Sequence, residues 1–337
     1  MAIINQQSIN GGRYSEVTSP NTPYNNMNDN GIATRQNEAR SIDLLAAQRQ
    51  LYSEAKNISH YQFFCCILIP ALLPFLKMAN LSDPFLGLII LVAVVITLVN
   101  TLFFEKIIKH KRECAAKIQE FFDTYVLQIP WNKEISGARE HAIRDYSYFS
   151  QKYKQNNISL ENLKDWYPTE YADLNIAVGR VLCQKVNASY DEQIRIKFKY
   201  FLILLFWLSV MLFFVISIIF NKSFVESLVL FFAPLVPVTI YLHKRLSENL
   251  ESMIRLENIL NQADALVEES KSASTPATIL EAGSRKLQND LFKHRSSAFL
   301  IWDWFYFMNR AKQESNMKVS AKLNHDDISQ REDIIKE

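Results

Sequence analysis

The sequence predicts an all-α, polytopic membrane protein: two transmembrane helical hairpins with long helical cytoplasmic extensions. Four apolar stretches, Tyr61–Leu81, Pro84–Phe104, Tyr200–Phe220 and Phe224–Leu242, each approach the roughly 20 residues a helix needs to cross a bilayer. They pair through very short links, Ser82-Asp83 in the first hairpin and Asn221-Lys222-Ser223 in the second. Glycine is scarce, at 7 of 337 residues, which suits a helical chain with few sheet turns. The 49% hydrophobic and 21% charged shares look ordinary only because they average apolar spans with strongly charged segments.

Residues 1–32 are rich in Asn, Ser, Gly and Pro without an apolar core and read as a disordered tail. Over 33–60, Ile42, Leu44-Leu45 and Leu51-Tyr52 recur near a 3.6 period, predicting an amphipathic cytoplasmic helix that leads into the first hairpin, 61–104. In the cytoplasmic segment 105–199 the second span continues as a helix toward Pro130, through Ile107, Ile118, Phe121-Phe122 and Tyr125. Further helices are expected over Ala138–Tyr153 and from about Ala172, with Ser159 capping a short turn between them. After the second hairpin, 200–242, comes a cytoplasmic segment, 243–315. Leu246, Leu250, Met253, Leu256, Leu260, Ala263 and Val267 form a seam there, a candidate assembly surface. Thr275-Pro276 opens another helix, and 316–337 reads as a loose polar tail.

Basic residues orient the chain. Lys106, Lys109, Lys111 and Arg112, then Arg195, Lys197 and Lys199, then Lys244-Arg245 flank the spans on one side, against Lys77 and Lys222 on the other. Both termini and the middle segment are therefore expected in the cytoplasm, leaving an outer face of two short turns.

Catalytic chemistry is not visible. None of the 6 histidines stands at zinc-helix spacing, and no Gly-rich phosphate loop or nucleophile elbow occurs. The 4 cysteines make no Cys-x-x-Cys pair, so no metal and no cofactor is indicated, and the chain is not expected to be an enzyme. Two kinds of residue do point to function. Pro70 and Pro74 in the first span, Pro234 and Pro237 in the fourth, and Asn100 near the inner end of the second put kinks and a polar group into apolar helices, a candidate gate. The bland reading is that Asn100 simply lies at the interface and that the kinks are packing detail. Aromatics interleaved with charged and amide groups form the second kind. They are Trp166, Tyr167, Arg180, Gln184, Asn187 and Asp191 in the middle segment, and Arg295, Asp303, Tyr306 and Arg310 in the last. Rings stack bases and guanidiniums pair with phosphates, which suits a nucleotide. The alternative is that they pack a helical bundle.

A resemblance rests on these residues. Arg35-Gln36-Asn37-Glu38 with Leu44–Ser53, Trp166-Tyr167-Pro168, Cys183–Asn187 with Asp191, and Leu287-Gln288 through His294-Arg295 to Asp303–Tyr306 and Arg310 follow in order around two hairpins. The layout resembles the SMODS-associated four-transmembrane effector family of bacterial CBASS anti-phage systems, which are built around cyclic-oligonucleotide synthases. The resemblance implies a multi-pass protein of the bacterial inner membrane. Its implied partners are the lipid bilayer, further copies of itself in a homo-oligomer, and a cyclic oligonucleotide made by a partner synthase; no DNA or RNA polymer is implied. The implied activity is permeabilisation of the membrane on activation, causing abortive infection. The alternative function is a non-pore receptor or scaffold that recruits a soluble partner through its cytoplasmic helices.

Overall fold

The computed structural model describes residues 29–64, 91, 95, 100–156, 159–219, 221, 223, 225, 233–272 and 276–336. Among them there is no β-strand. The helices are α1 (Ile32–Gln36), α2 (Ala39–Phe63), α3 (Glu105–Val126), α4 (Lys133–Ser136), α5 (Arg139–Gln155), α6 (Ile176–Ile219), α7 (Ala233–Ser270), α8 (Ala277–Ser297) and α9 (Asp303–Lys336). A π-helical turn, Asn100–Phe104, runs without a break into α3, as the continuous second span predicts. The helix expected over Ala138–Tyr153 is α5. The 3-10 turn Glu161–Leu163 has Leu160 rather than Ser159 as its N-cap; the Ser159 hydroxyl, one residue earlier, accepts from the Glu161 amide at 3.3 Å. A second 3-10 turn covers Thr169–Tyr171.

The helices bury three clusters. α2 packs on α3 and α5, joining Leu44, Leu45 and Leu51 to Phe121, Phe122 and Tyr167. α6, α7 and α8 close around Val181, Ala188, Leu256, Ile259, Ala263, Leu287 and Leu291. Phe198, Tyr241, Leu242, Phe299, Trp302 and Phe305 form an aromatic knot where the polar part of α6 meets its apolar part.

α6 sets the long dimension. Its 44 residues span about 66 Å at 1.5 Å per residue. An 18-residue window in it reaches a mean hydropathy of 3.0, and among the described residues it is the one helix long and apolar enough to cross a membrane. Leu204, Trp207, Leu208, Met211, Leu212 and Val215 are exposed along it. The first hairpin lies almost wholly outside the described residues, as do the N-terminal tail through residue 28 and the gate positions Pro70 and Pro74. The fourth span is described only at Val225 and from Ala233, where α7 begins.

Three further expectations need correcting. α2 is no one-sided amphipathic helix. Ser41, Ile42, Leu44, Leu45, Ala46, Ala47 and Gln48 are all buried, so its first half runs through the middle of the bundle with neighbours on every side. Its repeated alanines let α3 and α5 approach closely. Much of the α7 seam is filled from within the chain: Leu256 and Ala263 are buried with α6 and α8, and Leu260 and Val267 pack against them, while Leu250 stays exposed. That contact occupies most of the surface expected to serve assembly. The loose tail is instead the second half of α9, which stays helical to Lys336. Ala321 and Ile328, two turns apart, are buried; His325 bonds Asp173 at 3.0 Å and Lys271 pairs with Asp327 at 2.9 Å. Its apolar residues are too sparse for a periodic stripe, but one contact face suffices to hold it.

Candidate ligand cleft

The sequence motifs first build a buried polar network. Arg35 bonds the Val126 carbonyl at 2.8 Å, satisfying the end of α3. Gln36, fully buried, donates to the Tyr167 carbonyl at 3.2 Å and accepts from its amide at 2.7 Å. Asn37 donates to Asp165 Oδ1 at 2.8 Å and accepts from its amide at 3.0 Å, holding a residue whose φ is +48°. The Trp166-Tyr167 loop is thus clamped against α1. Tyr167 then donates to Asp123 at 2.6 Å, and Asn187 donates to the Tyr167 hydroxyl at 3.3 Å. Asp123 and Glu120 have no exposed side-chain surface. Arg295 and Gln288 serve Asp123; Arg285 at 2.8 Å and Gln288 at 2.7 Å serve Glu120. Burial pushes the Glu120 carboxyl up despite Arg285, whereas Asp123 holds the Arg295 guanidinium charged against the downward pull of burial.

Above this network opens a cleft of about 590 Å³, within the roughly 300–1,000 Å³ typical of small-molecule sites. α2 forms one wall and α6, with the end of α8, the other. The segment 298–301 and the first turns of α9 close it at the apolar end of the bundle. Six residues singled out from sequence line it: Trp166, Asn187, Asp191, Arg295, Asp303 and Tyr306. Tyr167 lies behind the wall, fully buried. Arg180 and Gln184 lie elsewhere. Arg180 donates to the Leu127 carbonyl at 2.7 Å and pairs with Glu281; Gln184 bonds Ser284 and Gln288 between α6 and α8. Arg310 lies in α9, Asn100 begins the π-helical turn, and Pro234 and Pro237 lie in α7; the side chains of these four are outside the described residues.

Sequence reasoning missed Arg49, Tyr52, Lys56 and Tyr190, which also line the cleft. Lys56 and Tyr190 stand in no motif, and their signal is purely spatial. Lys56 pairs with Asp303 at 2.6 Å and sits over the Tyr306 ring; Tyr190 and Tyr306 share a hydroxyl bond of 2.9 Å. Burial pushes Tyr52 up to about 12, so its hydroxyl stays protonated and can donate.

The charges are unevenly committed. Asp191 meets His294 Nε2 at 2.6 Å and Arg195 Nε at 3.0 Å; these partners outweigh its burial and hold it well below the usual carboxylate range. It is therefore an acceptor, and His294 donates from Nε2. Burial lowers His294 despite Asp191, leaving a neutral ring at neutral pH. Arg195 is also spent on Asn249 and the Phe299 carbonyl, at 3.4 and 3.2 Å. Arg49 is the exception: it has no ion pair or hydrogen bond among the described residues. Gln48 Oε1 and Trp166 Nε1 are buried without a partner among those residues. Unmet polar atoms of this kind cost about 1–3 kcal/mol, so a ligand that reaches them gains by it.

Glu54, at the cleft rim, gives a pH signature. Burial would raise its carboxyl, but Gln50, Lys111 at 2.5 Å and Lys152 at 2.7 Å hold it at about 2 against an ordinary 4.5. A depressed carboxylate contributes stability that is complete above the unfolded value and lost as pH falls through the folded one. Glu54→Gln is thus expected to lower the melting temperature at neutral pH and to make it fall less between pH 4.5 and about 2. Parallel melts of the two proteins across that range check it; equal slopes would refute it.

The chain is similar to a probable CBASS effector molecule of Bacillus cereus (strain VD146), 28% identical over 297 residues that cover 86% of this chain and 97% of the relative. No solved structure matches. The family model for the SMODS-associating 4TM effector domain matches residues 30–323, from the α1 clamp to the second half of α9, and the chain belongs to that family.

Proposed function

We propose that this chain is the non-catalytic membrane effector of a cyclic-oligonucleotide anti-phage system, with the cleft as its sensor. One observation carries the reading. α6 presents Asn187, Tyr190, Asp191, Ile194 and Arg195 to the cleft and, without a break in the helix, continues into the apolar stretch that begins at Tyr200. A rigid helix that lines a ligand site and enters a bilayer transmits a shift at one end to the other. The ligand chemistry fits. Trp166, Tyr52 and Tyr306 offer ring faces for bases, and Arg49 offers an uncommitted guanidinium for a phosphate. The family and the name of the Bacillus relative supply the anti-phage setting.

In this reading two hairpins cross the bacterial inner membrane, with both termini and the cleft on the cytoplasmic side. Two hairpins are too few to enclose water, so an aqueous path needs several copies. Pro70, Pro74, Pro234, Pro237 and Asn100 then face the shared axis, where freed carbonyls meet water or other helices rather than lipid. Most of the α7 seam being occupied, the copies meet through the spans.

The test is dye release from liposomes that carry the full chain, titrated with a panel of cyclic di- and trinucleotides. Release triggered at micromolar concentration by one of them, absent with linear analogues, is the expected result. Saturable binding with no release would overturn permeabilisation and favour recruitment of a soluble partner. Release without any nucleotide dependence would overturn the sensor.

A further inference from the structure

The first two turns of α9 have three faces. Trp302, just ahead of the helix, and Phe305 are buried in the aromatic knot, with Phe305 5.1 Å from Phe198. Asp303 and Tyr306 face the cleft, tied to Lys56 and Tyr190. Trp304 and Met308 remain as an outward stripe, 45% and 72% exposed, and Phe307, at the i+3 position between them, is exposed at the edge where this face meets the cleft, which it also lines.

That stripe has a specific neighbour. The Trp304 ring meets Phe201 edge-on at 5.4 Å. Phe201 is in the first turn of the apolar part of α6, beside exposed Tyr200 and Leu204. The stripe therefore continues the lipid-compatible surface of α6 at its polar end, behind Arg195, Lys197 and Lys199. Further along, the sequence of α9 carries Arg310 and Lys312. Tryptophan beside lysine and arginine at the end of a span is the composition of a membrane interface, and an apolar stripe on a charged helix is that of a segment lying in the interfacial plane.

We propose that the start of α9 is a lipid-docking element: Trp304 and Met308 lie among the headgroups and upper acyl chains of the bilayer, with Phe307 at the edge between bilayer and cleft. The occupant of this face is the same bilayer that α6 enters. The opposite face of the same two turns is the wall of the cleft, so the site is moored to the membrane surface as well as to the span. The docking does not depend on which ligand the cleft takes.

The test uses the full chain in liposomes without nucleotide. Subtracting the emission of Trp304→Phe from that of the natural chain isolates the Trp304 signal. A Val319→Trp substitution in the Trp304→Phe background places the same probe at an exposed position about four turns further along α9. Lipids brominated near the headgroup are expected to reduce the Trp304 signal by about twofold or more, and aqueous iodide to leave it nearly unchanged. The probe at position 319 should behave the opposite way. Quenching of both positions by iodide alone would overturn the proposal. So would protection of Trp304 from both iodide and bromine, the result expected if a second copy of the chain covers the stripe. If Trp304→Phe fails to insert, bromine quenching of Met308→Trp in the natural background gives the same decision.

Discussion

Arg295→Ala is expected to destabilise the helical bundle more than any other single change at the cleft, by about 3–5 kcal/mol. The reason is what it leaves behind. Asp123 has no exposed side-chain surface and is served by Arg295, Tyr167 and Gln288. Removing the guanidinium strands a buried carboxylate that two neutral donors cannot neutralise. Arg295 reaches the cleft with 10% of its side chain exposed, but Asp123 has none, so the stranded carboxylate is poorly placed to be hydrated. Adding Asp123→Asn to Arg295→Ala should recover much of the loss, because the stranded charge is then gone. Denaturant melts of the natural, single and double variants in detergent decide it. A single variant within about 1 kcal/mol of the natural chain would show that Arg295 is free to serve a ligand, as its place in the sequence motif implies.

That contrast marks what the sequence makes legible. Helical periodicity and flanking turn residues located α3, α5, α6 and α7 closely, because each long helix carries enough apolar positions to show its period. α2 misled because only its large apolar residues show a period, whereas its buried alanines and the buried Gln48 and Gln50 carry no apolar signal and still let the helix be surrounded. α9 misled in the opposite sense: Ala321 and Ile328 are two weak signals in a charged run, and only the neighbouring α6 and the 169–171 turn give them a surface to cover.

For the cleft, the sequence pointed to the residue types and not to their commitments. Trp166, Asn187, Asp191, Asp303 and Tyr306 come together from three distant segments as the motif order implies. Arg180 and Gln184 belong to the same motifs but close helix ends and helix contacts. No one-dimensional pattern separates an arginine that caps a carbonyl from one that awaits a phosphate. The difference lies in partners contributed from a hundred or more residues away, as with Gln184 and Ser284.

Arg49→Glu is expected to abolish the nucleotide response while leaving the fold intact. Arg49 lines the cleft from α2, half-buried, and has no ion pair or hydrogen bond among the described residues. The other cleft cations are occupied: Lys56 by Asp303, Arg195 by Asp191, Arg295 by Asp123. A phosphate entering the cleft therefore finds one guanidinium that gives up no internal partner to bind it. A charge-assisted hydrogen bond contributes about 1.5–3 kcal/mol, and reversing the sign adds repulsion. Affinity should fall by about 100-fold or more, and the dye-release curve should shift by the same factor. Melting should stay within about 0.5 kcal/mol of the natural chain, since no internal contact is lost. Arg49→Lys should fall between the two, keeping the charge but not the fork that a phosphate can grip with two bonds. Binding unchanged in Arg49→Glu, with normal folding, would remove the phosphate from this cleft and leave the aromatic walls as packing.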